Sequence, residues 1–133
     1  MSYSNGTPIT YKFAAFAGLS AAGQSSEKIA GPAGATGRLV SMVAVVTTGV
    51  TVAAGVATLR NNVTTSELYG SLAVPVLAAE LSAADLVIND LEAGGTDTSR
   101  IPADAQLELD GDGGATAGAA DIYVTILWDT VGP

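Results

Sequence analysis

The chain has 133 residues, 13 acidic against five basic, no histidine and no cysteine, for a formal net charge of −8. Lacking cysteine, it can form no disulfide, thiolate nucleophile or thiolate metal ligand; lacking histidine, it has neither the commonest general base near neutral pH nor the commonest zinc ligand. The five cations, Lys12, Lys28, Arg38, Arg60 and Arg100, are scattered, so a phosphate backbone repels the chain and direct nucleic-acid binding is not expected. Met1 to Pro8 is polar and reads as an arm. Thr10 to Ala17 reads as a strand with Tyr11, Phe13 and Ala15 on one face. Gly18 to Ser26 is a small-residue link and Glu27 to Ala30 a short strand. Gly31 to Gly37 is a loop, because its Gly-Pro step and repeated glycines suit neither a helix nor a central strand.

Arg38 to Thr47 carries the strongest strand signal. Val40, Met42, Ala44 and Val46 make one apolar face, and Leu39, Val43 and Val45 make the other largely apolar, so both faces are expected to be covered. The 21 uncharged residues between Arg38 and Arg60 approach the length of a membrane span. Their β-branched, threonine- and glycine-diluted content instead predicts a hairpin turning near Thr48-Gly49, with Thr51 to Arg60 as its second strand. Phe13 to Gly23 only faintly resembles a signal-peptide core, having no positive charge before Lys12 and a proline at Pro8. Asn61-Asn62 reads as a turn. Glu67 to Val76 is a strand placed at an edge or bulge by Pro75. Leu77 to Ala84 is a helical turn or irregular loop, Asp85 to Leu91 a strand, and Ala93 to Ser99 a loop. Two alternating runs close the chain. Ala105, Leu107 and Leu109 oppose Gln106, Glu108 and Asp110, and Ile122, Val124, Ile126 and Trp128 oppose Tyr123, Thr125, Leu127 and Asp129. Such alternation marks half-buried strands, and the glycine-rich link between the runs predicts that they pair as a hairpin.

The sum is one all-β domain: an antiparallel β-sandwich of seven to eight strands, jelly-roll-like, with at most a short helical turn. Residues 1–26 form an arm and first strand, and 27–133 the sandwich. Charged residues are only 14% of the chain against about 25% in typical domains, which points to contact with other protein chains or to a Ser/Thr/Ala/Gly-rich surface that is simply neutral. Chemistry is sparse. Asp110 and Asp112 are weak metal candidates, two carboxylates among glycines, but the following Gly114 and Ala115 break a calcium-loop pattern, and a turn explains Asp-Gly as well. Asp85, Asp90, Glu92 and Asp97 could supply paired carboxylates for glycoside hydrolysis, yet aromatics are 5% of the chain. No serine has a histidine partner, no motif surrounds Lys12 or Lys28, and Gly31 to Gly37 lacks a phosphate-loop ending. No enzymatic activity and no cofactor are expected.

Three stretches together carry a resemblance: Lys28-Ile-Ala-Gly-Pro-Ala-Gly-Ala-Thr-Gly-Arg-Leu-Val-Ser-Met42, Val50-Thr-Val-Ala-Ala-Gly-Val-Ala-Thr-Leu-Arg-Asn-Asn62, and Ile101-Pro-Ala-Asp-Ala-Gln-Leu-Glu-Leu followed by glycines and Asp121-Ile-Tyr-Val-Thr-Ile. Over residues 27 to 128 their order and spacing resemble the capsid decoration (head cement) proteins of tailed bacteriophages. The resemblance implies a jelly-roll-like sandwich synthesised in the host cytoplasm, seated as trimers on the outer surface of a virion, with the major capsid protein as partner and no membrane. On that reading the interface candidates are the arm, with Tyr11, Phe13 and Phe16, and the apolar hairpin, with Val50 and Val52. The alternative is a carbohydrate- or surface-binding module of a phage fibre or secreted bacterial protein, with Tyr3, Tyr11, Tyr69 and Tyr123 as its surface. In that case Trp128 would be an exposed platform rather than part of the core.

Overall fold

A computed structural model of the chain describes residues 6–20, 26–63, 68–76, 81–82, 85–88 and 100–129. These residues are all-β, with no helix among them. The strands are β1 (Thr7–Phe16), β2 (Ile29–Ala30), β3 (Gly37–Thr51), β4 (Gly55–Asn61), β5 (Leu68–Val74), β6 (Leu81–Ser82), β7 (Asp85–Ile88), β8 (Gln106–Gly111) and β9 (Ala117–Trp128). They form two antiparallel sheets packed face to face, a four-stranded one in the order β1-β9-β3-β6 and a five-stranded one in the order β2-β8-β4-β5-β7. The pairs nest. β1 lies with β9, β2 with β8, β3 with β6 and β4 with β5, like one long hairpin wound across both sheets.

The alternation read from the sequence survives unchanged along β9. Along β9 the residues Ile122, Val124, Ile126 and Trp128 are buried, as are Leu107 and Leu109 of β8. Leu39, Met42, Ala44, Val46 and Val50 of β3 join the β9 residues on the inner face of the four-stranded sheet, and Ala57 and Leu59 of β4 with Leu72 and Val74 of β5 join those of β8 on the facing sheet. Leu19, Ala35, Ile101 and Ala115 close the core from the connections.

Pairing departs from the sequence expectation in two places. β8 and β9 are not a hairpin: the link Asp112–Thr116 carries the chain from one sheet to the other. Nor do β3 and β4 pair, and the chain does not turn at Thr48-Gly49; β3 runs on to Thr51. Strands joined by a short connection can pair side by side or face each other across a core. Here each has an apolar face to bury, and facing buries both at once.

Bulges correct the face assignments. Register shifts between Leu39 and Ser41 against β9, so Val40 is an extra residue. Beyond it the parity changes: Leu39 and Met42 are buried, while Val40 points out and is 47% exposed. The second face of β3 is not covered either, because Val43 is exposed and Val45 half-buried. Pro75 lies just after β5, a strand flanked on both sides by β4 and β7. Its missing N–H ends that strand rather than weakening an edge. Pro8 does sit inside β1, where an edge tolerates it. Within Leu77 to Ala84, Leu81–Ser82 is strand; the remainder of that stretch lies outside the described residues, as do Asn89 to Ser99. No helix among the described residues is long and apolar enough to cross a membrane.

Candidate functional site

The sequence-predicted interface residues separate by burial. Phe13, Phe16 and Val50 point into the core and offer no surface to a partner. Alternation along β1 sends Phe13 inward. A bulge at Ala14-Ala15, with Phe13 opposite Ile122 and Phe16 opposite Ala120, returns Phe16 to the same side. That bulge is held by Asp121, whose Oδ1 accepts the Ala15 N–H at 2.8 Å and whose other oxygen lies 3.9 Å from Lys12 Nζ. Tyr11 is half-buried and its hydroxyl accepts the Trp128 indole N–H at 3.0 Å. Val52 is 79% exposed.

The aromatic residues of the binding-module reading fare similarly. Tyr69 and Trp128 belong to the core, and Tyr123 is half-buried with Lys12 Nζ 5.8 Å from its ring centroid. Tyr3 lies outside the described residues. Asp90, Glu92 and Asp97 lie outside the described residues, and Asp85 opens β7.

Asp110 and Asp112 do not converge. Asp110 is 3.3 Å from Arg60 on the outer side of the five-stranded sheet. Asp112 Oδ1 accepts the backbone N–H groups of Val56 and Gly114, both at 2.9 Å, and so fastens the β8–β9 link to the start of β4. Among the described residues no three metal-ligating side chains come together.

Sequence reasoning missed the densest charge cluster among the described residues. Arg60 of β4 is the cross-strand partner of Glu108 of β8, and Arg60 Nε donates to Glu108 Oε2 at 2.8 Å. Lys28 Nζ is 3.7 Å from Glu108 Oε1. Glu108 is only 2% exposed although it faces away from the core. Its alternation with Leu107 and Leu109 could have placed it on that face; which cations met it there depended on the β4–β8 register. A second network, at the opposite end from Val52, joins Arg100, Thr36 and Asp129. Arg100 and the Thr36 hydroxyl both donate to Asp129 Oδ2. These hydrogen bonds, Arg100's first, hold the Asp129 carboxyl below its ordinary value.

A cavity of about 400 Å³ is lined by Phe13 to Gly18, Ser26 and Glu27. The Ser26 hydroxyl is committed to structure, donating to Glu27 O at 2.8 Å and accepting the Leu109 N–H at 2.7 Å. Glu27 is the titratable group of that described lining. A lone carboxylate supplies no acid–base pair and no nucleophile with its base.

The surface most suited to a macromolecular partner is the outer face of the four-stranded sheet. Its central row is Thr10, Thr125 and Ser41, with the Thr10 and Thr125 hydroxyls 2.8 Å apart. Around this row lie Val40, Val43 and Val45 of β3 and Tyr123 and Leu127 of β9, all exposed or half-buried. Comparison with protein-family models, curated proteins and solved structures found no match.

Proposed function

We propose that this chain is a non-enzymatic virion structural protein that binds the outer surface of a tailed-phage capsid, with the major capsid protein as its partner, and stabilises the shell as a decoration protein. One observation carries the reading: the outer face of the four-stranded sheet exposes Val40 and Val43 beside the half-buried Tyr123 and Leu127, with Lys12, Arg38 and Asp121 as the charged residues among them. Aromatic and aliphatic side chains with few charges are what the centre of a protein–protein interface uses. The nested strand pairing supports the jelly-roll-like expectation, since that is the connectivity of two wrapped Greek keys. Each copy bound to assembled shell and not to free subunits would favour the assembled lattice by mass action.

The test is co-sedimentation of the purified chain with heads of the phage that carries its gene, followed by thermal disruption of the heads with and without it. Binding, a higher disruption temperature, and loss of both in Val43→Asp at unchanged chain stability are the expected results. Heads that neither bind the chain nor gain stability from it would refute the proposal.

A further inference from the structure

Four of the five cations are committed within the chain. Lys12 meets Asp121, Lys28 meets Glu108, Arg60 meets Glu108 and Asp110, and Arg100 meets Asp129. Arg38 is the exception: it is exposed and forms no ion pair with any described residue. Its charge reaches Asp129, whose carboxyl it helps to lower, but Asp129 Oδ2 already takes hydrogen bonds from Arg100 and Thr36.

β3 places Arg38 on the outer face of the four-stranded sheet. It is the cross-strand partner of Leu127, whose neighbour on the other side is Pro8 of β1. The bulged Val40 follows, 47% exposed, so the guanidinium rises from aliphatic ground. The other charges of this face, Lys12 and Asp121, lie 3.9 Å apart, and Asp121 Oδ1 also accepts the Ala15 N–H. The described face is thus left with one unopposed positive charge, on a chain of net charge −8. The outer face of the five-stranded sheet differs, because its cations Lys28 and Arg60 converge on Glu108 and Asp110.

We propose that Arg38 anchors this face on its partner, and that the partner presents an aspartate or glutamate carboxylate set in apolar protein surface. This rests on the shell-binding reading and names the chemistry of the surface received. In the free chain water solvates the guanidinium. A partner that covers Val40, Leu127 and Val43 strips that water away, and a guanidinium buried without an anion is strongly destabilising. The partner must therefore supply the anion that the chain does not. Charge complementarity selects a single carboxylate. The planar fork of arginine binds one through two parallel hydrogen bonds, and the aliphatic side chains around it exclude water once covered. A phosphate backbone, with many charges, is repelled by the rest of the chain. Arginine beside tyrosine and aliphatic residues is also the composition of the energetic centre of protein interfaces.

The probe is heads of the phage that carries the gene, with bound chain measured by co-sedimentation across a concentration series. Arg38→Gln removes no ion pair from the chain and should melt within about 2 °C of the parent. It should bind heads at least about tenfold more weakly. Amidation of the head carboxylates with a carbodiimide and glycinamide, the heads verified intact by negative stain, gives a test of opposite sign. Removing negative charge from the heads relieves their repulsion of a chain of net charge −8, so Arg38→Gln should bind amidated heads no more weakly than untreated ones. Binding of the parent should fall toward that of Arg38→Gln, because the carboxylate that met Arg38 is gone. Arg38→Gln binding untreated heads like the parent, or parent binding that rises on amidation, would overturn the Arg38 anchor and leave the shell reading standing. Untreated heads that bind neither chain would overturn both.

Discussion

Trp128 shows how much one side chain organises. It is 2% exposed, and a Cβ placed on Gly37 would come within 2.6 Å of its ring, so the strand that opens β3 passes flat against the indole. Its N–H is satisfied by Tyr11, as a buried indole requires. Trp128→Ala should cost about 3–5 kcal/mol in denaturant unfolding, the usual range for a buried tryptophan. The parent chain should emit toward the blue and resist iodide, and red, readily quenched emission would refute this placement. Glu108 poses the opposite problem, a carboxylate at 2% exposure that depends on its cations. Arg60→Met leaves it buried beside Lys28 alone and should cost about 3–5 kcal/mol, whereas Arg60→Met combined with Glu108→Met should cost less. Equal losses would mean that the carboxylate rehydrates freely. Asp129 sets a pH dependence. Its folded value lies below the ordinary 3.8 because Arg100 and then Thr36 hydrogen-bond the charged form. The stabilisation is therefore complete above 3.8 and is lost as pH falls through the lowered folded value. An NMR titration should place the Asp129 midpoint below 3.8 and show Arg100→Gln moving it upward.

Among the elements, β1 and β3 illustrate how strands are adjusted after their pattern is set. β1 is an edge, and it carries Pro8, Lys12 and the Ala14-Ala15 bulge, three devices that discourage a further strand from pairing with it. β3 keeps its apolar side chains on the core only by absorbing extra residues at Val40 and again between Val46 and Thr51, which break its alternation. Those bulges explain why Val40 and Met42, two apart in sequence, end on opposite sides. β8 depends instead on a close approach. A Cβ on Gly111 would collide with the backbone of Gly18, whereas one on Gly49 would meet nothing within 4 Å. Gly111→Ala should therefore lower stability by about 1–3 kcal/mol, as overpacking does. Gly49→Ala should change it by no more than about 0.5 kcal/mol in either direction. Thermal melts of the two variants decide it, and equal melting temperatures would contradict the contact between the β8 end and the Gly18 turn.

At the scale of the molecule, nesting joins the first described strand to the last. β1 pairs with β9 from Thr7–Trp128 to Phe16–Ala120, so the sandwich closes only when distant parts of the chain meet. Loop closure must precede those contacts, and stopped-flow refolding followed by Trp128 emission should fall in the range of about milliseconds to seconds typical of all-β sandwiches. A microsecond phase carrying the full amplitude would contradict the nested order. What the sequence determined by itself was the buried side of β8 and β9, residue by residue, together with the all-β class. It also limited the available chemistry, since missing histidine and cysteine are facts of composition. Those features are local: the pleat alternates whatever its neighbours are. Tertiary structure decided which strands became neighbours. The same apolar faces of β8 and β9 are buried whether the two strands pair as a hairpin or face each other across a core, so periodicity cannot separate the two. It likewise decided the parity beyond Val40, the cations that meet Glu108, and the exposure of Val52. Each of these depends on register against strands far away in the chain, which no local pattern encodes.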